Sequence, residues 1–513
     1  MNFVVGMVLV WCWVALGVSE GSAGEAPTSG SPPISLEQAF KDLSSEEDAT
    51  RERAIALLIG QGDATLLARL DELRVNADRS LRMAIKPIAD AWRQRANLAS
   101  PDADTRRSAA ADLGSSRRTA AIPWLEAAAG SESHRWVRYA MDESTQLLKL
   151  ASADPAVKTQ AAAKLGEMRS QNAVPALKEL VQAAGEPNAT EQQKTVAGVA
   201  AAAINQVEAW NVWSTAIETI FRGVSLSSIL LIMSVGLAIV FGLMGVINMA
   251  HGELMMIGAY ATFVMQECFK LYVSPAWFDA YYLAALPASF LAAALFGLLL
   301  EATVIRFLYG RPLETMLATW GVSLILIQAA RIYFGDLTAV AAPAWLNGGV
   351  QVMVGVFLPF NRLFIIGLSI LCVTGIYILL FRSSVGLRVR AVTQNRNMSA
   401  CLGIPTRKVD AYTFAFGSGL AGIAGWALTL VGNVEPGLGQ NYIVDSFMVV
   451  VTGGVGKLAG TIIASLGIGG MNKLMEPSLG AVYGKVLILV LVILFLQWRP
   501  SGLFAVKGRH AEG

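Results

Sequence analysis

Hydrophobic positions divide the chain into two materials. From residue 35 to 210, apolar residues recur at helical spacing between short polar stretches, and no strand alternation of useful length appears. Beyond residue 211 the pattern changes to long apolar runs. A helical span needs roughly 20 apolar residues, and the candidate runs are 222–243, 247–266, 280–304, 314–335, 361–381, 409–431, 443–455, 458–475 and 484–498. Charge follows the same division: 48 of the 78 Asp, Glu, Lys and Arg residues precede Asn211, and 30 fall in the 303 residues that begin there. The pattern predicts an all-α chain, with a water-soluble front followed by a polytopic membrane domain whose helices are in part broken or re-entrant.

The front repeats itself. Ala109-Ala110-Ala111-Asp112-Leu113-Gly114 matches Ala161-Ala162-Ala163-Lys164-Leu165-Gly166 at an offset of 52, and Pro123 and Pro175 keep that offset. Residues 54–60 are a weaker copy. Each unit reads as a helix closed by Gly in a left-handed cap, a helix opened near Pro, and a third, longer helix. Stacked units of this kind resemble HEAT repeats and predict an α-solenoid over 35–210. Such a surface suits protein binding, and it equally suits a spacer. Arg106, Arg107, Arg117 and Arg118 form a basic cluster, read either as a solvated face or as a docking patch.

Residues 3–18 are an apolar run followed by Gly21-Ser22-Ala23, small residues that a signal peptidase accepts. The segment reads as a signal peptide over 1–23, although its start carries no Lys or Arg; the other reading is an uncleaved anchor. A linker follows over 24–34, with Pro27, Pro32 and Pro33. The expected organisation is then the front domain at 35–210 outside the cytoplasm, a transmembrane domain at 211–505 and a cytoplasmic tail at 506–513.

Basic residues between spans set orientation. The stretch 382–408 carries Arg382, Arg388, Arg390, Arg396, Arg407 and Lys408 with no acid, and is expected on the cytoplasmic side. Arg499, Lys507 and Arg509 place the tail there too. An exported front and a cytoplasmic tail require an odd number of crossings. Nine satisfies this, and so does seven with a re-entrant hairpin over 443–475. Either way Thr452-Gly453-Gly454-Val455-Gly456-Lys457 interrupts a helix, and irregular backbone at membrane depth persists only where protein or a wet cavity supplies hydrogen bonds.

Composition and motifs narrow the chemistry. The chain is 54% hydrophobic, 15% charged and +2 in net charge, which gives no field for nucleic acid. Cys12, Cys268, Cys372 and Cys401 are scattered, and only His134, His251 and His510 occur, so neither a zinc site nor a multi-histidine centre is expected. Residues 453–457 fail as a phosphate loop, because Val451 and Leu458 stand where Gly and Ser or Thr are needed. No cofactor is expected in this chain, and any ATP would be bound by another. Asn248, His251 and Glu253 place an amide, an imidazole and a carboxylate beside a hydrophobic span. They either tie two helices together or line a solute path with Gly454. Thr319 and Ser323, four apart on one helical face, together with Gln328, could bond a solute or a neighbouring helix. Glu301 could pair with Arg306. The small residues of 415–425 are a packing signal that also suits a dimer interface.

Three blocks carry a family resemblance. The first runs from Gly236-Leu237-Ala238 through Asn248-Met249-Ala250-His251-Gly252-Glu253 to Gly258-Ala259-Tyr260. The second holds Gly386-Leu387-Arg388-Val389-Arg390-Ala391, Ala400, Leu402-Gly403-Ile404 and the small residues after Phe414. The third joins Gly453-Gly454-Val455-Gly456 to Arg499-Pro500-Ser501-Gly502-Leu503-Phe504. Together they resemble the branched-chain amino acid family of ABC importer permeases, and the secreted helical front is similar to the urea-type permease subunit within it. That resemblance implies a transport subunit and not an enzyme. It sits in the inner membrane and moves urea or short amides by alternating access, driven by separate ATPase subunits. A branched-chain amino acid is the other solute; a membrane hydrolase or passive channel is disfavoured. The implied partners are ABC ATPase subunits, a second permease subunit, an extracytoplasmic solute-binding protein and membrane lipid. The implied coupling helix lies around 390–403 between turns at Gly386 and Gly403, with Arg388, Arg390, Ala391, Asn395 and Ala400 facing the ATPase.

Overall fold

The computed structural model describes residues 36–504 apart from 44, 46, 62–65, 77 and 188. The expected signal peptide, linker and tail (1–23, 24–34 and 506–513) lie outside the described residues. The described chain is almost entirely helical and divides into two compact units, Met1–Leu165 with Glu179–Val199, and Gly166–Lys178 with Ala200–Gly513.

The front helices are α1 (Leu36–Asp42), α2 (Asp48–Gln61), α3 (Leu66–Asn76), α4 (Arg79–Asn97), α5 (Ala103–Ser115), α6 (Ile122–Ser131), α7 (Arg135–Leu150), α8 (Pro155–Glu167) and α9 (Val174–Ala183). In the first unit Leu58, Ile59, Leu70, Ile85, Ile88, Leu113 and Leu125 are fully buried. Trp92 donates to the Leu58 carbonyl at 3.2 Å and meets Trp124 edge-on at 5.1 Å. The 52-residue repeat is visible as the succession α5, α6, α7 and then α8, α9 and a long following helix. Pro123 opens α6 as expected. The glycines act otherwise than expected. The left-handed residues are Arg117 (φ 55°) and Arg169 (φ 58°), three positions past Gly114 and Gly166. Gly114 instead lets α5 touch α7: a Cβ there would sit 2.6 Å from the Ser144 Cβ. Gly166 meets the Ala203 backbone in the same way.

The basic cluster dissolves into ion pairs: Arg107 with Asp104, Arg117 with Glu179 and Arg118 with Glu52. Arg106 makes a two-pronged contact with Glu132 (2.6 and 3.2 Å) and also donates to the Ser100 and Pro101 carbonyls. The Arg106 guanidinium holds the Glu132 carboxyl below the usual carboxylate range.

The remaining helices are α10 (Glu191–Met244), α11 (His251–Tyr272), α12 (Tyr281–Thr303), α13 (Pro312–Phe334), α14 (Phe360–Arg382), α15 (Ser384–Gln394), α16 (Arg396–Cys401), α17 (Thr406–Leu428), α18 (Leu438–Gly453) and α19 (Leu458–Trp498). A hairpin of β1 (Gly349–Met353) and β2 (Val356–Pro359) precedes α14, a small exception to the all-α expectation. The boundaries of α12, α13, α14 and α17 agree with the hydropathy pattern to within about three residues. The first span does not begin at 222. No Gly-Pro break separates the polar Ala-rich stretch from the apolar one, so α10 runs unbroken for 54 residues. The last two expected spans form α19, bent where Gly480 adopts φ 78°.

Among the described residues, five segments are long and apolar enough to cross a membrane: Glu191–Gly242, Pro275–Phe307, Pro312–Phe334, Phe360–Arg382 and Leu458–Trp498. Their outward faces carry exposed Leu291, Leu295, Leu317, Ile370, Leu371, Val486 and Val490. Apolar surface on this scale suits lipid. Helix α17 lies inside, buried along almost its whole second half. Its small residues pack against helices of the same chain. A Cβ on Gly258 of α11 would lie 2.2 Å from the Gly422 carbonyl oxygen, and one on Gly425 1.9 Å from that of Met255. Gly417 similarly abuts Gly236 of α10.

Gly258→Val therefore forces α11 and α17 apart. We expect loss of monodisperse protein in detergent, read by size-exclusion chromatography. Gly321→Ala, whose Cβ meets nothing within 4 Å, should elute as wild type. In the front unit, the depressed Glu132 value means that its stabilising contribution is present above the usual carboxylate range and lost as pH falls through the folded value. Hydrogen exchange in α5–α7 should quicken on that descent, and Glu132→Gln should abolish this pH dependence.

Candidate functional site

Helix α11 starts inside the bundle. Gly245 holds φ 65° and reverses the chain after α10, and residues 245–248 are not helical. His251, the first residue of α11, lies with its Nε2 3.3 Å from the Met233 carbonyl oxygen. Met233 is 11 residues before the end of α10 at Met244, or about 16 Å at 1.5 Å per residue. The chain has therefore run back along α10 to mid-depth before α11 begins. Helix α18 also starts within the bundle, and the two starts meet: a Cβ on Gly252 would be 2.5 Å from the Gly439 carbonyl oxygen, and one on Gly439 2.3 Å from that of Gly252. Two helix N-termini converge on one glycine pair, their first-turn N–H groups in part bonded to the preceding turns, as Glu253 N–H to the Ala250 carbonyl and Gln440 N–H to that of Gly437.

Around this pair sit five of the residues singled out from sequence. Asn248, His251, Glu253, Thr319 and Ser323 are all buried. Ser323 Oγ donates to Glu253 Oε1 at 2.6 Å, joining α13 to α11. Thr319 Oγ1 accepts from the Met249 N–H at 3.0 Å and donates to the Thr315 carbonyl. Asn248 Oδ1 accepts from the Ala250 N–H at 3.0 Å. Ser323 and one oxygen of Glu253 tie α13 to α11, whereas Thr319 bonds its own helix and the turn before α11. Among the described residues, Asn248 Nδ2, His251 Nδ1 and Glu253 Oε2 have no hydrogen-bond partner. A buried unpaired polar atom costs about 1–3 kcal/mol, and these three, among eight such side-chain atoms in the described residues, cluster at one place.

The other sequence candidates lie elsewhere. Gly454 (φ 97°) is pressed against the Phe504 carbonyl, and Leu503 N–H donates to the Thr452 carbonyl at 2.8 Å. The glycine break is thus clamped by the 499–504 motif and is not part of the Glu253 cluster. Gln328 is exposed and accepts from Arg331. Glu301 accepts from Tyr309 at 3.2 Å, while Arg306 stacks on Phe307.

The polar stretch after α14 is not one helix over 390–403. Asn395 divides it: its side chain accepts from the Met398 N–H and starts α16. Gly386 falls in the first turn of α15, capped by Ser383, where a Cβ would strike the Leu379 and Leu380 carbonyls. Gly403 (φ 83°) ends α16, with the Ile404 N–H bonded to the Ser399 carbonyl. Arg388, Arg390, Asn395 and Ala400 are exposed, and Ala391 is half-buried. Val385, Leu387, Met398 and Leu402 are large apolar side chains that stand exposed on the same two short helices.

Broken helices around a buried polar centre, a lipid-suited exterior and a separate two-helix loop define a polytopic transport protein. Residues 219–496 match the family described as branched-chain amino acid transport system / permease component. The chain belongs to that family. It is 29% identical over 293 residues to the high-affinity branched-chain amino acid transport system permease protein BraD of Pseudomonas aeruginosa, covering 56% of this chain and 95% of that one. It is 28% identical over 296 residues to LivH of Escherichia coli K12, a protein of the same description (56% and 94%). The probable branched-chain amino acid permease LivH of Methanocaldococcus jannaschii is 25% identical over 305 residues (56% and 91%). Permease subunits of this family are not enzymes, and they work in an ABC transporter with ATPase subunits and a binding protein.

Ser323→Ala leaves both oxygens of Glu253 unpartnered. We expect a cost of about 1–3 kcal/mol, measured as a lowered melting temperature in detergent, and rescue by Ser323→Thr.

Proposed function

We propose that this chain is the membrane permease subunit of an ABC importer for a small polar solute, which passes the Gly252–Gly439 junction. The observation that carries the reading is the meeting of two helix starts there, beside the unpaired Asn248, His251 and Glu253 atoms. The helices α15 and α16 form the coupling surface: exposed Val385, Leu387, Met398 and Leu402 supply an apolar patch for the ATPase, rimmed by Arg388 and Arg390. The basic residues of 382–408 support a cytoplasmic position for it, with the front domain on the other side of the membrane. There the 52-residue repeat acts as a HEAT-like solenoid that docks the binding protein or a neighbouring subunit.

The named relatives favour a branched-chain amino acid as the solute. A second reading, urea or a short amide, draws on the front domain. The relatives are covered almost end to end by 56% of this chain, so the front lies outside the shared stretch, and its form is similar to the urea-type subunit. The unpaired, neutral amide of Asn248 suits such a solute too.

ATP-dependent uptake of labelled leucine and urea by vesicles holding the full complex separates the two. Uptake of either should require the ATPase pair, and Arg390→Glu with Gly403→Pro should reduce uptake at least tenfold and release the ATPase on purification. Solute movement at the same rate without nucleotide overturns the importer reading.

A further inference from the structure

A second polar site lies next to the glycine junction, formed by residues that the sequence pattern did not single out. A cavity of about 320 Å³ opens between α10, the end of α17, α18 and both halves of α19. That volume suits a small solute. It is at the end of the bundle opposite α15 and α16, since α17 runs its 23 residues, about 34 Å, from one to the other. Leu438 lines the cavity, and Gly439 beside it touches Gly252. One residue therefore separates the cavity from the Glu253 cluster.

Its walls are largely polar and carry two ion pairs, Lys485 with Asp445 and, towards the rim, Lys473 with Glu476. Asp445 is buried at 4% exposure, on α18. Lys485, beyond the Gly480 bend of α19, reaches it at 3.4 Å and also donates to the Asn441 carbonyl at 3.1 Å. At 3.4 Å the contact is loose for a charge-assisted bond, which is ordinarily 2.7–2.9 Å. Each partner therefore has bonding capacity left over. Asn441 donates to Glu435 at 3.1 Å, so a second carboxylate is held at the rim. Asn472 faces the same space, and Leu226 and Leu428 supply an apolar wall. Charged groups inside a membrane bundle are costly and mark solute pathways.

We propose that this cavity is a solute subsite, with Lys485 facing a carbonyl or carboxylate oxygen and Asp445 facing N–H donors of the same molecule. The chemistry recognised is an N–H donor set next to an oxygen acceptor. An α-amino acid presents it as ammonium and carboxylate, with its side chain on the leucines; urea presents it as amide groups. The assignment rests on the importer reading above. A bare structural pair bolting α18 to α19 is the competing account.

The test uses the full complex in vesicles, with leucine and urea as separate arms. Lys485→Gln and Asp445→Asn should each raise the KM for the transported solute at least tenfold, with a smaller change in maximal rate, and the exchanged pair Asp445→Lys with Lys485→Asp should stay impaired. An unchanged KM, or an exchanged pair that restores the wild-type KM, overturns the subsite. Should a variant fail to assemble, Asn472→Cys in the otherwise wild-type complex decides. A soluble thiol reagent should label it, and leucine or urea should slow that labelling at least threefold while Cys268, Cys372 and Cys401 react at unchanged rates, read by peptide mass spectrometry. No protection by either solute overturns the subsite. This arm requires no transport, so it is separable from failure of the importer reading, which shows as a wild-type complex that takes up neither solute.

Discussion

The contact on which the membrane unit depends is backbone against backbone. Gly252 and Gly439 let two helices begin within van der Waals reach of each other, and no other residue type leaves room for it. Without this contact α18 could not start against α11, and the Glu253 cluster would face a gap instead of a second helix. The same economy of small residues extends through Gly258 with Gly422 and Gly425 with Met255. In lipid there is no hydrophobic drive to bring helices together, so close packing and interhelical bonds must do it. A central helix as closely packed as α17 is the outcome.

That packing constrains where polar groups can sit. Glu253 is held at 1% exposure with one oxygen bonded to Ser323 and the other free. His251 is tied through one ring nitrogen to a backbone carbonyl and open at the other. Half-satisfied groups of this kind are a cost to the fold. They lie beside the junction where two helix N-termini meet at Gly252 and Gly439.

Much of this was legible in the pattern. Apolar runs located most of the helices, because length and composition alone determine what fits a bilayer. Thr319 and Ser323 on one face, and Asn248, His251 and Glu253 on one turn, were correctly grouped by spacing. Their meeting across α11 and α13 is a tertiary event that spacing does not report. The left-handed positions at Arg117 and Arg169 were hidden because glycine is the usual sign of that conformation, whereas Gly114 and Gly166 are needed for close helix approach. The start of α11 at His251 rather than 247 follows from the reversal at Gly245. Asp445 and Lys485 went unremarked because each is a single charge in an otherwise apolar run. Only the fold places them 3.4 Å apart.

The two ends of the bundle connect through few, rigid parts. Helix α17 starts beside α16 and ends beside the cavity at Asp445. Arg396 of α16 is ion-paired to the buried Asp410 of α17, and stacks on Tyr309, which bonds Glu301 of α12. Helix α16 is thereby joined to α17 and, through Tyr309, to α12. Since α17 has almost no free volume, it moves as a body or not at all. Its glycine contacts with α11 are the surfaces along which such a movement would slide, and they adjoin the Gly252–Gly439 junction. A ligand at either end can shift this equilibrium only by binding one arrangement better than the other. The charged cavity and the exposed helices α15 and α16 lie at opposite ends of the same central helix.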